Sequence, residues 1–215
     1  MRVLHHLEQS RSFRILWALE ELGVDYEVKF YKRLANFSAP PSLKAVHPLG
    51  KAPILSDGEN TLAESAVILE YLQQKDDLEG KFKPSSQQDI QQYQYWMHYA
   101  EGSLMPLLVM QLVMTKVPEQ APWLIKPIAH KITDGVKGAF IKPRLSDHIQ
   151  FIEQHLAQHD YFAGSFSFAD IQMSFPLEAL NSRMKGHYPN IHAFIQRIGQ
   201  RKAYQQAKAK EQSLG

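Results

Sequence analysis

The chain has 215 residues, 24 Lys and Arg against 22 Asp and Glu, and no cysteine. That length accommodates one large domain or two small ones. The missing cysteine excludes a disulfide scaffold, a zinc ribbon, iron–sulfur ligation, CxxC redox chemistry and a cysteine nucleophile, and the net charge of +2 argues against a dominant phosphate-binding surface.

Hydrophobic residues make up 44%, enough for a packed core. The N-terminus carries Arg2, His5, His6 and Glu8, unlike a signal peptide. The longest apolar stretch, residues 104–113, is interrupted by Pro106 and Gln111 and falls short of a membrane span. A soluble, cytoplasmic protein with no membrane or nucleic-acid partner is expected.

The first elements alternate between strand and helix. Val3 to Leu7 is a short apolar run, a candidate strand. Ile15, Leu16, Ala18, Leu19 and Leu22 recur at helical spacing, with Ser10 or Ser12 available as a cap and Gly23 as a stop. Val24, Tyr26, Val28 and Phe30 alternate with polar residues, the period of a half-buried strand. Residues 35–48 form a proline-containing connection with one or two helical turns. Residues 52–55 and 61–63 flank Asp57-Gly58-Glu59-Asn60 and read as a hairpin. Residues 65–74 read as a helix. The order is β-α-β-α-β-β-α.

Residues 80–86, with Gly80, Pro84, Ser85 and Ser86, suit a linker. Beyond it the chain reads as helix: residues 87–117 with Pro106 inside, residues 128–159 with Pro143 inside, residues 168–180 and residues 191–208. The parts differ in charge. Residues 1–80 carry 9 basic and 12 acidic side chains, and residues 81–215 carry 15 and 10. Two domains are expected, 1–80 and 87–215.

Three spots carry chemistry. Pro53 heads a strand, where it is either an ordinary edge proline or a cis-proline that turns the Ala52 backbone toward an extended peptide ligand. Glu64 and Ser65 stand where a strand runs into a helix. Ser65 is either a simple cap or, with the helix N-terminus, a carboxylate holder beside an ammonium-binding Glu64. Ser10-Arg11-Ser12 opens the first helix, where a hydroxyl near a positive dipole end favours an anion or thiolate.

The segments His5-His6-Leu7-Glu8-Gln9-Ser10-Arg11-Ser12-Phe13-Arg14, His47-Pro48-Leu49-Gly50-Lys51-Ala52-Pro53 and Leu62-Ala63-Glu64-Ser65-Ala66-Val67-Ile68 together resemble a cytosolic glutathione S-transferase. A fourth, Phe162-Ala163-Gly164-Ser165-Phe166-Ser167-Phe168-Ala169-Asp170-Ile171, resembles that family's capping box in the helical domain. The resemblance covers essentially the whole chain. It implies a thioredoxin-like α/β domain followed by an all-α domain. Ser-Arg-Ser, His-Pro-Leu-Gly-Lys and residues 95–106 further resemble a bacterial and fungal branch.

The resemblance implies glutathione as co-substrate, no metal, and a homodimer. It places Ser10 against the glutathione sulfur, with Ser12 as the alternative, since strand one ends on His6-Leu7 rather than tyrosine and no cysteine is present. It sets Lys51 on the glycine carboxylate, Ala52 and Pro53 on the cysteinyl unit, and Glu64 and Ser65 on the γ-glutamyl end. Some serine-type relatives carry a histidine or lysine where Gly50 stands. The implied reaction is attack of the thiolate on a hydrophobic electrophile or a peroxide. Tyr99, Ser103, Leu104, Met105 and Leu108, with Met110 and Trp123, are candidates for the electrophile pocket, although any one of them alone reads as bundle core. The alternative function is a non-catalytic binding or regulatory protein on the same fold. His155 and His159 lack a third metal ligand, and the basic residues Arg197, Arg201, Lys202, Lys208 and Lys210 read as a solvated helix face.

Overall fold

The computed structural model describes residues 1–36, 38–183 and 186–214. The first half contains β1 (Arg2–Leu7), α1 (Ser12–Leu22), β2 (Glu27–Tyr31), α2 (Pro41–Lys44), β3 (Ile54–Asp57), β4 (Asn60–Ala63) and α3 (Ser65–Asp76). The second half holds α4 (Gln87–Tyr99), α5 (Met105–Gln120), α6 (Lys126–Val136), α7 (Lys142–Gln158), α8 (Phe168–Arg183), α9 (Pro189–Gly199) and α10 (Lys202–Leu214). This is the expected thioredoxin-like α/β half followed by an all-helical half.

The strands run in the order β2-β1-β3-β4. β1 and β2 are parallel, while β3 pairs antiparallel with both β1 and β4. Leu4 of β1 stands opposite Val28 and Leu55 in the register. Buried Ile15, Leu16 and Leu19 of α1 and Ile68, Leu69 and Leu72 of α3 join Leu4 and Leu55 in one core. Leu7, Tyr31, Leu43 and Ile54 form a separate small core with Ala39, Val46 and Ala52. Each such leucine contributes about 1.5–3 kcal/mol by leaving water. Gly23 ends α1 as expected: at φ 64° its N–H reaches Leu19 O at 3.0 Å.

The alternating pattern from Val24 overestimates β2, whose ladder begins at Glu27. The last helix is also two helices, divided at Gln200 and Arg201. Gly199 weakens the helix there, and Arg201 turns to grip Glu21 of α1 at 2.6 and 2.9 Å. Arg201, Lys208 and Lys210 therefore dock against α1, Lys208 standing 4.0 Å from the centre of the Phe13 ring. Lys210 donates to Glu20 at 2.6 Å, and Arg197 pairs with Asp160 at 2.7 Å.

Two prolines shape the long helices. A π-helical turn over residues 100–104 precedes Pro106, and another over residues 137–141 precedes Pro143. A proline ring crowds the carbonyl four residues earlier and supplies no N–H, so the turn before it widens. The first wide turn carries Glu101.

The two halves share one core. Trp17 of α1 meets Tyr204 edge-on at 5.0 Å, and Phe82 stacks on Phe168 at 5.1 Å. Asp77 holds Phe82 in place by accepting its N–H and that of Lys81, each at 2.8 Å. Ser167 and Asp170 form the expected capping box of α8: Asp170 accepts from Ser167 N at 2.8 Å and also from Phe162 N at 2.9 Å. His155 packs at 4.9 Å on Trp96 and 5.5 Å on Phe162, a core histidine whose burial lowers its pKa to about 4.

Candidate functional site

A cavity of about 600 Å3 opens along the end of β1, the loop before β3 and the start of α3. Ser10, Lys51, Ala52, Pro53, Glu64 and Ser65 all line it. Six residues from three separate stretches of sequence thus converge on one hollow. The Ala52–Pro53 peptide bond is cis. Gln9 at φ 47° and Glu64 at φ 71° are the two non-glycine residues with positive φ among the described residues, and both line the cavity. Such backbone is costly and persists where surrounding structure holds it.

The two serines of Ser10-Arg11-Ser12 differ in what they touch. Ser12 is fully buried. Its Oγ lies 2.9 Å from His6 Nδ1, 3.3 Å from Leu7 O and 3.2 Å from Leu7 N. Ser10 Oγ lies 2.7 Å from Ser12 Oγ and accepts Ser12 N–H at 3.2 Å. Ser10 lines the cavity and Ser12 does not. Arg11, just before α1, makes no side-chain cap, and Ser10 Oγ takes the first N–H of the helix, so the positive end of the α1 dipole lies beside Ser10.

Ser65 likewise does not cap α3. Its Oγ accepts from Arg14 Nη1 at 3.3 Å, which leaves its own O–H free to donate. Arg14 is fully buried, and burial lowers its pKa to about 10 despite Glu101. Glu101 Oε1 accepts from Arg14 Nη1 at 2.6 Å and from Arg11 Nε at 2.9 Å. Burial pushes the Glu101 carboxyl up, but the two guanidiniums outweigh it and hold it below the usual range. Sequence reasoning did not assign Arg11, Arg14 or Glu101 a role in the site.

The chain matches the family model "Glutathione S-transferase, N-terminal domain" over residues 1–74. It matches "Glutathione S-transferase, C-terminal domain" over residues 141–202. Glutathione S-transferase 3 of Schizosaccharomyces pombe is 38% identical, across 94% of this chain and 85% of that protein. Glutathione S-transferase 1 of Saccharomyces cerevisiae is 34% identical, across 99% and 96%. The chain belongs to the glutathione S-transferase family. A crystal structure of a glutathione S-transferase from Actinobacillus pleuropneumoniae superposes with a TM-score of 0.80 at 32% identity, covering 99% of this chain and 93% of that one.

This transferase gathers more cations at the cavity than the sequence singled out. Lys44, on the short helix α2, lines the same wall as Lys51. Its position explains Gly50: at φ 55°, a Cβ there would stand 2.5 Å from Lys44 Cγ. A side chain at residue 50 and Lys44 in its present place exclude each other.

The expected electrophile-pocket residues do not gather at the cavity. Leu104, Met105 and Leu108 are buried in the bundle core. They follow Trp96, Met97 and Ala100 along the face of α4 and α5 that packs inward, so helical periodicity turns them into the core. Tyr99 hydrogen-bonds His148 and, with Ser103, borders a different depression lined by Tyr95 and His98. Trp123 is 80% exposed at the far end of the α5–α6 hairpin, and Met110 is also absent from the cavity wall. A second cavity of about 530 Å3 instead adjoins the first, sharing Gln9, Ser10 and Phe175 with it. Phe13, Phe30 and Ala179 contribute apolar wall there. Phe175 sits under the Arg11 and Arg14 guanidiniums, 5.7 and 5.4 Å from its ring centre. In the sequence Phe175 is one of two phenylalanines on α8, indistinguishable from core.

Proposed function

We propose that this enzyme is a serine-type glutathione transferase in which the Ser10 hydroxyl donates a hydrogen bond to the glutathione thiolate. The observation that carries the reading is the contrast between the two serines: Ser10 lines both cavities, whereas Ser12 is sealed beneath it. A free thiol has a pKa of about 8.5, so little is thiolate at neutral pH. A hydrogen bond to a charged acceptor contributes about 1.5–3 kcal/mol. The dipole end of α1 adds about 0.3–1 kcal/mol. Together these lower the thiol by roughly one to three pH units.

Glutathione lies with its glycine carboxylate toward Lys51 and Lys44 and its cysteinyl unit along Ala52 and Pro53. Its γ-glutamyl carboxylate takes the free Ser65 O–H, and its ammonium meets Glu64. The electrophile occupies the second cavity against Phe175, Phe13 and Phe30. The thiolate attacks its electrophilic carbon, the carbon–sulfur bond forms and the leaving group departs with its electron pair. A peroxide oxygen is an alternative electrophile. Residues 1–80 form the glutathione grip and residues 87–215 the helical wall beside it. The enzyme resembles the bacterial and fungal branch with Ser-Arg-Ser near the N-terminus, and its compartment is the cytoplasm.

The enzyme assembles as a homodimer. Support comes from the α5–α6 hairpin, where Val113, Val117, Ile128 and Ile132 are exposed, and from the opposite charge balance of the two halves. Sedimentation at micromolar concentration reads a dimer, and a monomer overturns this part.

Retention on a glutathione column and the absorbance of bound thiolate against pH test the central reading. Ser10→Ala is expected to retain glutathione and to raise the pH at which its thiol ionises. An unchanged titration removes Ser10 from its role.

A further inference from the structure

Beneath Ser10 lies a chain of polar atoms that thiol stabilisation alone does not use. Ser10 Oγ meets Ser12 Oγ at 2.7 Å, and Ser12 Oγ meets His6 Nδ1 at 2.9 Å. On the other side of the imidazole, His6 Nε2 lies 3.3 Å from Glu211 Oε1, on α10. His6 and Ser12 are fully buried, and His6 stacks on Phe30 at 5.9 Å. The chain runs from the cavity, through the end of the sheet, to the last helix.

The protons in this chain have a defined order. His6 Nε2 is buried, stands 3.3 Å from the Glu211 carboxylate and makes no full hydrogen bond. A lone pair facing a carboxylate oxygen at that distance is repulsive, so Nε2 carries the hydrogen. Nδ1 is then the acceptor, and the Ser12 O–H donates to it. Ser12 Oγ in turn accepts the Ser10 O–H. Ser10 Oγ accepts Ser12 N–H at 3.2 Å and borders the cavity where a thiol would sit. Both serine hydroxyl hydrogens then point from the cavity toward His6.

We propose that His6 is the acceptor of the glutathione thiol proton, reached through Ser10 and Ser12, with Glu211 holding the imidazolium that results. This inference rests on the serine-type reading above. The S–H bond breaks as its proton passes to Ser10 Oγ. The former Ser10 proton passes to Ser12 Oγ, and the former Ser12 proton forms the new Nδ1–H bond. Sulfur gains one negative charge, the imidazole gains one positive charge, and both serines end as they began. The thiolate is left accepting the Ser10 O–H. When the leaving group departs, the proton follows it back along the same path.

Glu211 is fit for this role. Burial pushes its carboxyl up, but the His6 contact and Lys208, 3.2 Å away, hold it below the usual range. Glu178 of α8 and Glu8 beyond β1 border the same cavity. Glu211 is 22% exposed, so a change there spares the core. His6 and Glu211 touch no reacting atom of the substrate, and both act through the serines.

Two measurements test this. In the first, bound-thiolate absorbance is followed against pH for wild type, Ser10→Ala, Ser12→Ala and Glu211→Gln. Ser12→Ala and Glu211→Gln are expected to move the thiol titration up by about one unit, a tenfold loss of thiolate below the midpoint. Glutathione dissociation constants measured below the thiol midpoint are expected to stay within about twofold, or about 0.4 kcal/mol. In the second, nitrogen NMR of the wild-type complex reads His6 directly, with no dependence on how a His6 variant folds. Nδ1 is expected to become protonated when glutathione binds, and to stay unprotonated in Ser10→Ala. An unprotonated Nδ1 beside a formed thiolate overturns the relay. So do titrations of Ser12→Ala and Glu211→Gln that superpose on wild type. If Ser10→Ala alone shifts the thiol, the serine-type reading stands and the relay fails. If Ser10→Ala shifts nothing, both fail.

Discussion

Arg14 Nη1 of α1 donates to Glu101 Oε1 at 2.6 Å across the junction of the two halves. The same guanidinium nitrogen donates to Ser65 Oγ at 3.3 Å. One buried cation therefore ties the helical half to Ser65, the side chain proposed to hold the γ-glutamyl end of glutathione. Removing Glu101 strands that cation. Glu101→Ala is expected to cost about 3 kcal/mol in urea unfolding, since breaking one partner of a buried pair leaves an uncompensated charge. It should also weaken glutathione binding. The double variant Arg14→Met with Glu101→Leu should recover most of the stability and none of the lost affinity.

Lys51 and Lys44 stand on one wall of the cavity. Each is expected to weaken glutathione binding by about threefold to fivefold when changed to alanine, the range of a partly exposed ion pair of about 1 kcal/mol. Calorimetric titration measures it. The effect should shrink at high salt, because exposed charges are screened. The pH at which the bound thiol ionises should not move.

Phe175 lines both cavities. Phe175→Ala is expected to raise the KM for a hydrophobic electrophile about tenfold, equivalent to about 1.4 kcal/mol. Glutathione affinity should change little. Steady-state kinetics with each substrate varied separately distinguishes the two. A loss confined to glutathione would move the electrophile elsewhere.

Asp57 accepts from Arg2 at 2.9 Å, Lys75 at 2.8 Å and Tyr71 at 3.0 Å, clasping β1, β3 and α3. Burial pushes its carboxyl up, but these donors outweigh it and lower the pKa from 3.8 to about 2. A carboxyl depressed on folding contributes its stability above the unfolded value and loses it as pH falls through the folded one. Wild type should therefore lose about 2 kcal/mol more than Asp57→Asn between pH 4 and pH 2. Urea midpoints measured across that range check the sign and the window.

Much of the fold was legible along the chain. Gly23 as a stop, the Asp57-Gly58 hairpin and the Ser167–Asp170 box are local devices, set by backbone freedom and by side chains reaching a few residues. Pro106 and Pro143 announced disturbed helices for the same reason. The break at Gln200 was not legible, because it depends on Arg201 reaching Glu21, 180 positions away. The place of the residues expected at the electrophile pocket was not legible for a related reason: Leu104, Met105 and Leu108 lie in the bundle core. Leu104, Met105 and Leu108 carry the right chemistry, but helical periodicity cannot say which neighbour a face will meet.

The sequence by itself determined the order of elements, the absence of a protein thiol, and the short list of polar residues at β1, β3 and α3 from which a glutathione grip could be built. Local propensity and side-chain type suffice for those. Only the tertiary structure decided which serine meets the cavity, that Glu101 and Arg14 stand behind Ser65, that Lys44 takes the space Gly50 leaves, and that His6 joins Ser12 to Glu211. Each of these is a distance between residues remote in sequence. Packing of the two halves around one core sets those distances, and no periodicity along the chain encodes them.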